Sequence, residues 1–319
     1  MKRSTASLLF VKLTVTIGCL FILFRKINFE QIVIQLANVD RRWLVAAVVL
    51  MFVQLLLTGG RWHVISGLIG APLRTMQAMR LTLIGQFFNQ TLPSSVGGDA
   101  VRAWLLVRYH RMPLALALKS VFSDRLSALI YLAGIAAVCL PFFLYVTPHS
   151  GPHAQVVVGV IDLVTALCFI LLWLGADRIA RYLSRFRPTR AVGALFTMLH
   201  QIVFAPMPSG ALTLLLSCVV QALIVLSTYC IARAFAITLA SDAIFLMPLL
   251  MLLSAIPLSF AGWGLREGVM VTGLGMTGVS ATHAISISVC LGLAQLLIGV
   301  PGLFALFFER THQARSDNA

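Results

Sequence analysis

The chain has 319 residues, 60% of them hydrophobic and only 11% charged, with a mean hydropathy of +0.96. Soluble chains carry about a quarter charged residues, so this balance excludes an ordinary soluble domain and indicates a protein built for a membrane. The net charge of +14 does not mark a nucleic-acid binder: 20 of the 24 basic residues are Arg, and most fall in short loops or at the ends of apolar runs, as the positive-inside rule expects.

Met1-Lys2-Arg3 and an apolar run to Phe24 come first in the chain. No small-residue cleavage site precedes Arg25-Lys26, so 6–24 is predicted as a retained spanning helix rather than a removed leader. Ile27 and Ile34 lie at near-helical spacing within 27–39, which predicts a helix lying on the membrane surface. Further apolar runs of about twenty residues, the length that crosses the hydrocarbon core, predict spans at 43–59, 126–146, 154–175, 210–232 and 280–308.

Two stretches, 75–111 and 241–275, are too long for loops and too polar or Gly-rich at their centres to cross as single helices. Each has an apolar segment, a break and a second apolar segment. The first break contains Pro93, Gly97 and Gly98, the second Pro257, Gly262 and Gly264. Proline removes a backbone donor and glycine accepts unusual dihedrals. Both stretches are therefore predicted as re-entrant hairpins of two half-helices, with breaks buried in protein or lining a wet cavity.

The loop 147–153 has no Lys or Arg, whereas Arg178, Arg181, Arg185, Arg187 and Arg190 crowd the loop after residue 175. This bias predicts the former outside and the latter in the cytoplasm, with both termini cytoplasmic in a bacterial inner membrane. Arg25, Lys26, Arg41 and Arg42 run against that orientation, which places 25–42 outside. The first hairpin starts from the inside and the second from the outside, each preceded and followed by one span. The predicted fold class is an all-α polytopic membrane protein of about six full spans plus two broken-helix hairpins arranged as an inverted repeat, a recurring transporter plan. It is read as one domain over 1–319: a first repeat at 43–146, a second at 210–308, and a basic cytoplasmic linker at 176–209.

Ionisable residues at membrane depth are costly and point to function. Asp99 and Arg102, spaced i, i+3 at the start of a half-helix, share one face. Gly97 and Gly98 before them leave backbone N–H groups next to a positive dipole end. An anionic group such as a lipid phosphate fits there, with Arg102 as a charge-assisted donor; alternatively, Asp99 caps the half-helix and pairs with Arg102. Arg266 and Glu267 hold the equivalent place in the second hairpin. Sequence neighbours point about 100° apart on a helix, so these two are expected to serve different partners. Asp124-Arg125 opens the span 126–146 as a solvated pair at the cytoplasmic boundary, unless Arg125 pairs with Asp99. Asp162 is either hydrogen-bonded to a neighbouring helix or a proton carrier. Gly264 and Gly268 fit small-xxx-small packing, and Gly299, Pro301 and Gly302 are expected to kink the last span.

His149 and His153 are spaced i, i+4 but fall in a loop with Pro and Gly, so no metal site is predicted. The six Cys are scattered singly through apolar stretches and are read as small buried hydrophobes. No HExxH, Walker or GxSxG motif occurs. No cofactor and no enzymatic activity are expected.

Gly60-Arg61-Trp62, then Gln86-Phe87-Phe88-Asn89 through Pro93, Gly97-Gly98-Asp99, Arg102, Ser120-Val121 and Asp124-Arg125, resemble the lysylphosphatidylglycerol synthase transmembrane-region family. Pro257-Leu258-Ser259, Gly262-Trp263-Gly264 and Arg266-Glu267 are similar to that family's second signature. The resemblance spans about residues 5–310 and rests on the order and spacing of short motifs. It implies flippase-like activity, as in multiple-peptide-resistance proteins, whose related domain moves aminoacylated phosphatidylglycerol to the outer leaflet. Arg61, Asp99, Arg102, Arg125 and Glu267 carry over as substrate-site candidates. A member without the fused synthase is expected, which leaves the substrate open among aminoacylated lipids and the lipids of hopanoid, glycolipid and glycan pathways.

The expected function is translocation of an amphipathic lipid with an anionic or aminoacylated head group, downhill or ion-coupled, with Asp162 and Glu267 as candidate proton carriers. The expected partners are membrane lipids. The alternative is an accessory subunit working beside a lipid-biosynthetic enzyme or glycosyltransferase. A lipid-modifying enzyme lacks the clustered nucleophile, base or metal set it would need.

Overall fold

The computed structural model describes residues 39–92, 96–146, 156, 159–171, 182, 190–255 and 264–316. The predicted span 6–24, nearly all of 27–39, the loop 147–153 with its two histidines, and Pro93, Pro257 and Gly262 lie outside these residues. Every regular element among the described residues is a helix. In chain order these are α1 (Arg41–Leu68), α2 (Thr75–Thr91), α3 (Gly97–His110), α4 (Leu114–Val146), α5 (Gly159–Leu171), α6 (Arg190–Val203), α7 (Ser209–Ala234), α8 (Ser241–Ser254), α9 (Leu265–Met276) and α10 (Ala281–Ser316).

Four of them, α1, α4, α7 and α10, are long and apolar enough to cross a membrane. They contain the predicted spans 43–59, 126–146, 210–232 and nearly all of 280–308, but α1, α4 and α10 run further than expected, α10 as far as Ser316. Helix α1 continues to Leu68 because Gly59 does not end it; the glycine instead lies against the backbone of Met79, where a Cβ would approach the Met79 N to 3.0 Å. Helix α4 starts at Leu114, twelve residues before the predicted start, because the polar side chains of Ser120 and Asp124 find partners inside the protein. Of the predicted span 154–175, the described part is the shorter helix α5.

Both predicted hairpins form as helix pairs, α2/α3 and α8/α9. The 14 residues of α3 and of α8 rise about 21 Å, short of the ~30 Å of hydrocarbon, so neither arm is built to cross alone. Helix α1 packs along α7, α2 packs on α10, and α8 packs on α4. The first arm of each hairpin thus lies against the last long helix of the other half, and the two halves interlock with swapped partners.

Glycines make that interlocking possible. A Cβ on Gly302 would overlap the Leu83 carbonyl oxygen, and one on Gly299 would stand 3.0 Å from Phe87 Cα. These residues, expected only to kink α10, are where its backbone lies directly on α2. The main core, between α1 and the helices of the second half, includes Met51, Leu55, Ile231, Met247, Leu274 and Leu291. A second cluster under the first hairpin centres on Trp62, Leu81, Leu105 and Leu106. The predicted linker is not all linker: α6 packs Met198 and Ile202 onto Ile65, Ile69 and Ala71. The cysteines also depart from expectation, since Cys168 and Cys218 are exposed while Cys230 is buried.

Candidate functional site

Five ionisable side chains from three helices meet beside the break of the first hairpin. Arg61 reaches from α1 and donates through Nη2 to Asp124 Oδ1 at 3.1 Å. Arg102, one turn into α3, donates through Nη2 to Asp124 Oδ2 at 3.0 Å and through Nη1 to Asp99 Oδ1 at 3.2 Å. Arg125 on α4 donates through Nε to Asp99 Oδ2. Each aspartate therefore bridges two guanidinium groups. Arg102 also lies over the ring of Trp62, 3.7 Å from its centroid, and Trp62 Nε1 is held by Ser120 Oγ at 3.0 Å. Arg61, Asp99, Arg102 and Asp124 are buried, whereas the Arg125 side chain is 47% exposed.

Asp124 was expected at a solvated boundary. Because α4 begins at Leu114, Asp124 falls on the third turn of a continuous helix and becomes the hub of the cluster. Capping by Asp99 is not what the structure shows either. Val96 is the N-cap without a side-chain bond, and the Gly98 N–H goes to Asn89 Oδ1 at 2.9 Å. The two hairpin arms touch there: a Cβ on Gly98 would overlap the Gly85 carbonyl oxygen. Gly98 thus serves arm packing, and its N–H is spoken for.

The second hairpin carries a smaller cluster. Gly264 adopts φ +86 before α9, and its N–H donates to Glu267 Oε2 at 2.6 Å. Arg266 and Glu267, expected to serve different partners, pair with each other: Arg266 Nη2 lies 2.9 Å from Glu267 Oε1. The long arginine side chain folds back far enough to overcome the angular separation of neighbours on a helix. Ser288 Oγ donates to the same Glu267 oxygen at 3.0 Å. No small-xxx-small contact forms at Gly268 among the described residues, since a Cβ there would meet none of them within 4 Å.

Gln295 on α10 ties the second cluster to α2, the first arm of the first hairpin. Its Oε1 accepts from Arg266 Nη1 at 3.2 Å and from Gln90 Nε2 at 3.1 Å, and its backbone carbonyl accepts from Gln86 Nε2 at 3.3 Å. Between the clusters lies a cavity of about 180 Å³ walled by all eight helices of the two halves; α5 and α6 take no part. Arg61, Arg102, Arg125, Arg266 and Asp124 line it, with Gln54, Thr58, Thr82, Gln86, Asn89, Ser227 and Gln295.

The polar cavity inside an apolar helical protein, and the two clusters that wall it, contain nearly all of the family-like motif residues that are described. The chain belongs to the lysylphosphatidylglycerol synthase transmembrane-region family. The family's sequence model matches residues 9–302. A UPF0104 membrane protein of Methanothermobacter thermautotrophicus is 27% identical over 313 residues, covering 90% of this chain and 88% of that protein. A UPF0104 membrane protein of Methanocaldococcus jannaschii is 30% identical over 112 residues, 34% of this chain and 33% of its own length.

All five family-derived site candidates are described, and four of them, Arg61, Asp99, Arg102 and Arg125, form one contiguous network. Glu267 belongs to the second cluster and reaches the cavity only through Arg266. Sequence reasoning missed the roles of Gln90, Ser288 and Gln295. Gln295 did leave a signal, as an amide within an otherwise apolar span. Asp162, on α5, has an Oδ1 without a hydrogen-bond partner among the described residues and belongs to neither cluster. Among the described residues no group of three or more His, Cys, Asp or Glu converges as a metal site would require.

Proposed function

We propose that this protein moves an amphipathic lipid with an anionic head group between the leaflets of the cytoplasmic membrane, without chemistry on the lipid. The observation that supports this reading is that Arg125 lines two spaces of opposite character. On one side is the polar cavity. On the other is an apolar groove of about 480 Å³ between α3 and α4, walled by Val96, Ala103, Leu118, Val121, Phe122 and Leu129. Leu118 and Phe122 are 51% and 53% exposed, so the groove opens outward on an apolar face. A polar chamber beside an outward-opening apolar groove suits a head group that travels inside while its chains stay in lipid.

Energetics select Arg125 as the residue that meets the lipid first. The Arg125 side chain is half-exposed, and its departure leaves Asp99 still paired with Arg102, whereas breaking a fully buried pair costs about 3–5 kcal/mol. Arg125 can therefore exchange Asp99 for a lipid phosphate while Arg61 and Arg102 stay locked on Asp124. Movement of one half against the other about the α1–α7 contact would carry the head group between the two clusters, as in repeat-based transporters.

The test is reconstitution into liposomes with trace fluorescent phosphatidylglycerol, followed by bleaching with a membrane-impermeant reductant. Wild-type protein is expected to expose the inner-leaflet lipid, and Arg125→Ala to slow that exposure at least tenfold. Bleaching that stops at the outer leaflet with wild-type protein, as in empty liposomes, would sink the proposal.

A further inference from the structure

We infer that the central cavity selects an anionic, polyhydroxylated head group, a phosphorylated polyol or sugar, over an aminoacylated, ammonium-bearing one. This deepens the transport reading and rests on it only for the site's use, not for its chemistry.

Charge comes first. The two clusters bring together Arg61, Arg102, Arg125 and Arg266 against Asp99, Asp124 and Glu267, so guanidinium groups exceed carboxylates by one. All four arginines line the cavity, but among the described residues Asp124 is the only carboxylate that does, and each of its oxygens is already taken by an arginine. An aminoacyl ammonium would enter a space walled by cations with no uncommitted carboxylate to meet it. Like charges brought that close in a low-dielectric site repel strongly.

Donors and acceptors come next. Arg61 Nε and Arg102 Nε are buried with no partner among the described residues, and both side chains, 4% exposed, line the cavity. Buried donors of this kind are costly when left unpaired, and phosphate oxygens are the acceptors that suit guanidinium best. The hydroxyl walls want the opposite partner. Thr82 Oγ1 donates to Ala78 O at 2.8 Å and Ser227 Oγ to Leu223 O at 2.6 Å, each spending its one proton on its own helix. A hydroxyl that has donated still has lone pairs to offer, so these two can only accept from a ligand, not donate to it. With the ammonium excluded by charge, ligand hydroxyls remain. A phosphate beside several hydroxyls meets both demands at once. The volume of about 180 Å³ admits several groups of water size, at ~15 Å³ of accessible space for one, which suits a head group and not a whole lipid.

Binding in detergent micelles, read by native mass spectrometry, tests this without requiring transport. The probes are phosphatidylinositol, phosphatidic acid, a neutral glucosyl diacylglycerol and lysylphosphatidylglycerol, each competed with soluble inositol 1-phosphate. Phosphatidylinositol is expected to bind at least tenfold tighter than lysylphosphatidylglycerol and the neutral glycolipid, and severalfold tighter than phosphatidic acid. The Thr82→Val/Ser227→Ala variant, which keeps every charge, is expected to erase the margin over phosphatidic acid while leaving phosphatidic acid itself unchanged. Displacement by inositol 1-phosphate supports head-group recognition, and equal affinity of the soluble phosphate and the lipid assigns the site to soluble phosphorylated polyols. Lysylphosphatidylglycerol binding as tightly as phosphatidylinositol overturns the inference, as does a soluble phosphate that fails to compete at saturation. Either result leaves a positive bleaching assay standing, so the two readings fail separately.

Discussion

Arg102 and Asp124, 22 residues apart in sequence, form a 3.0 Å ion pair in which neither side chain is more than 5% exposed. This pair fastens the second arm of the first hairpin to α4, and Asp124 extends the tie to α1 through Arg61. Asp124→Asn strips the buried Arg61 of its counter-charge and leaves Arg102 with Asp99 alone, and it is expected to destabilise the protein by about 3–5 kcal/mol. The check is the thermal unfolding midpoint in detergent, where an unchanged value would contradict the assignment. The triple variant Arg61→Met/Arg102→Met/Asp124→Leu, which substitutes apolar volume for the whole set, is expected to recover most of that loss but not lipid binding.

Gly98 and Gly268 make opposite predictions from the same chemical change. An added Cβ at Gly98 overlaps the Gly85 carbonyl oxygen, whereas at Gly268 it meets nothing within 4 Å among the described residues. Gly98→Ala must force α2 and α3 apart, with an expected loss of 1–3 kcal/mol or more from overpacking. Gly268→Ala lies inside α9 and is expected to stabilise it by up to about 1 kcal/mol through helix propensity. Thermal unfolding of the two variants side by side would refute the packing account if Gly98→Ala proved as tolerant as Gly268→Ala.

The membrane class and both broken hairpins were legible because hydrophobic run length and Pro-Gly breaks are local properties. Helix ends were less so. The polar residues Arg61, Ser120, Asp124 and Arg125 look like loop or boundary residues in isolation, and only partners from other helices let them lie inside α1 and α4. The arginines and Asp99 were found because charge in an apolar chain is conspicuous. The pairing of Asp99 with Arg102 and with Arg125 was open to sequence reasoning, but the role of Asp124 between Arg61 and Arg102 was not, since it depends on how α1, α3 and α4 converge. Glycines were read for flexibility, whereas Gly98, Gly299 and Gly302 are where helix backbones touch, a property of the neighbour and invisible in the glycine's own surroundings. Gln295 passed unnoticed because a neutral amide carries no charge signal.

Gln295 ties the two hairpins together, bonded to Gln90 on the first arm of one and to Arg266 at the start of the second arm of the other. Gln295→Leu keeps the volume similar and removes both bonds. A neutral hydrogen bond contributes about 0.5–1.5 kcal/mol and one to a charged group about 1.5–3, so the protein should remain folded with a modestly lower midpoint. Lipid movement depends on the relative position of the two hairpins and is expected to change more than stability does. Comparing bleaching rate with unfolding midpoint in this one variant checks the coupling; a rate equal to wild type would remove Gln295 from it.

Asp99 divides its two oxygens between Arg102 and the half-exposed Arg125, and the two arginines should respond differently when its charge is removed. Asp99→Asn keeps an oxygen that can accept from Arg102, which remains anchored by Asp124 on its other side. Arg125 loses its anionic partner altogether. If Arg125 exchanges Asp99 for a lipid phosphate, the wild-type carboxylate is a competitor, and Asp99→Asn should bind phosphatidylinositol more tightly than wild type. Arg125→Ala should bind it at least tenfold more weakly, and Arg125→Lys, which retains charge without the guanidinium fork, should fall between. Exposed charge pairs weaken with salt, so the advantage of Asp99→Asn over wild type should shrink as ionic strength rises. Native mass spectrometry across the three variants at low and high salt supplies the measurement. Weaker binding by Asp99→Asn than by wild type would show that Asp99 holds Arg125 in place for the lipid, and the exchange mechanism would then be wrong.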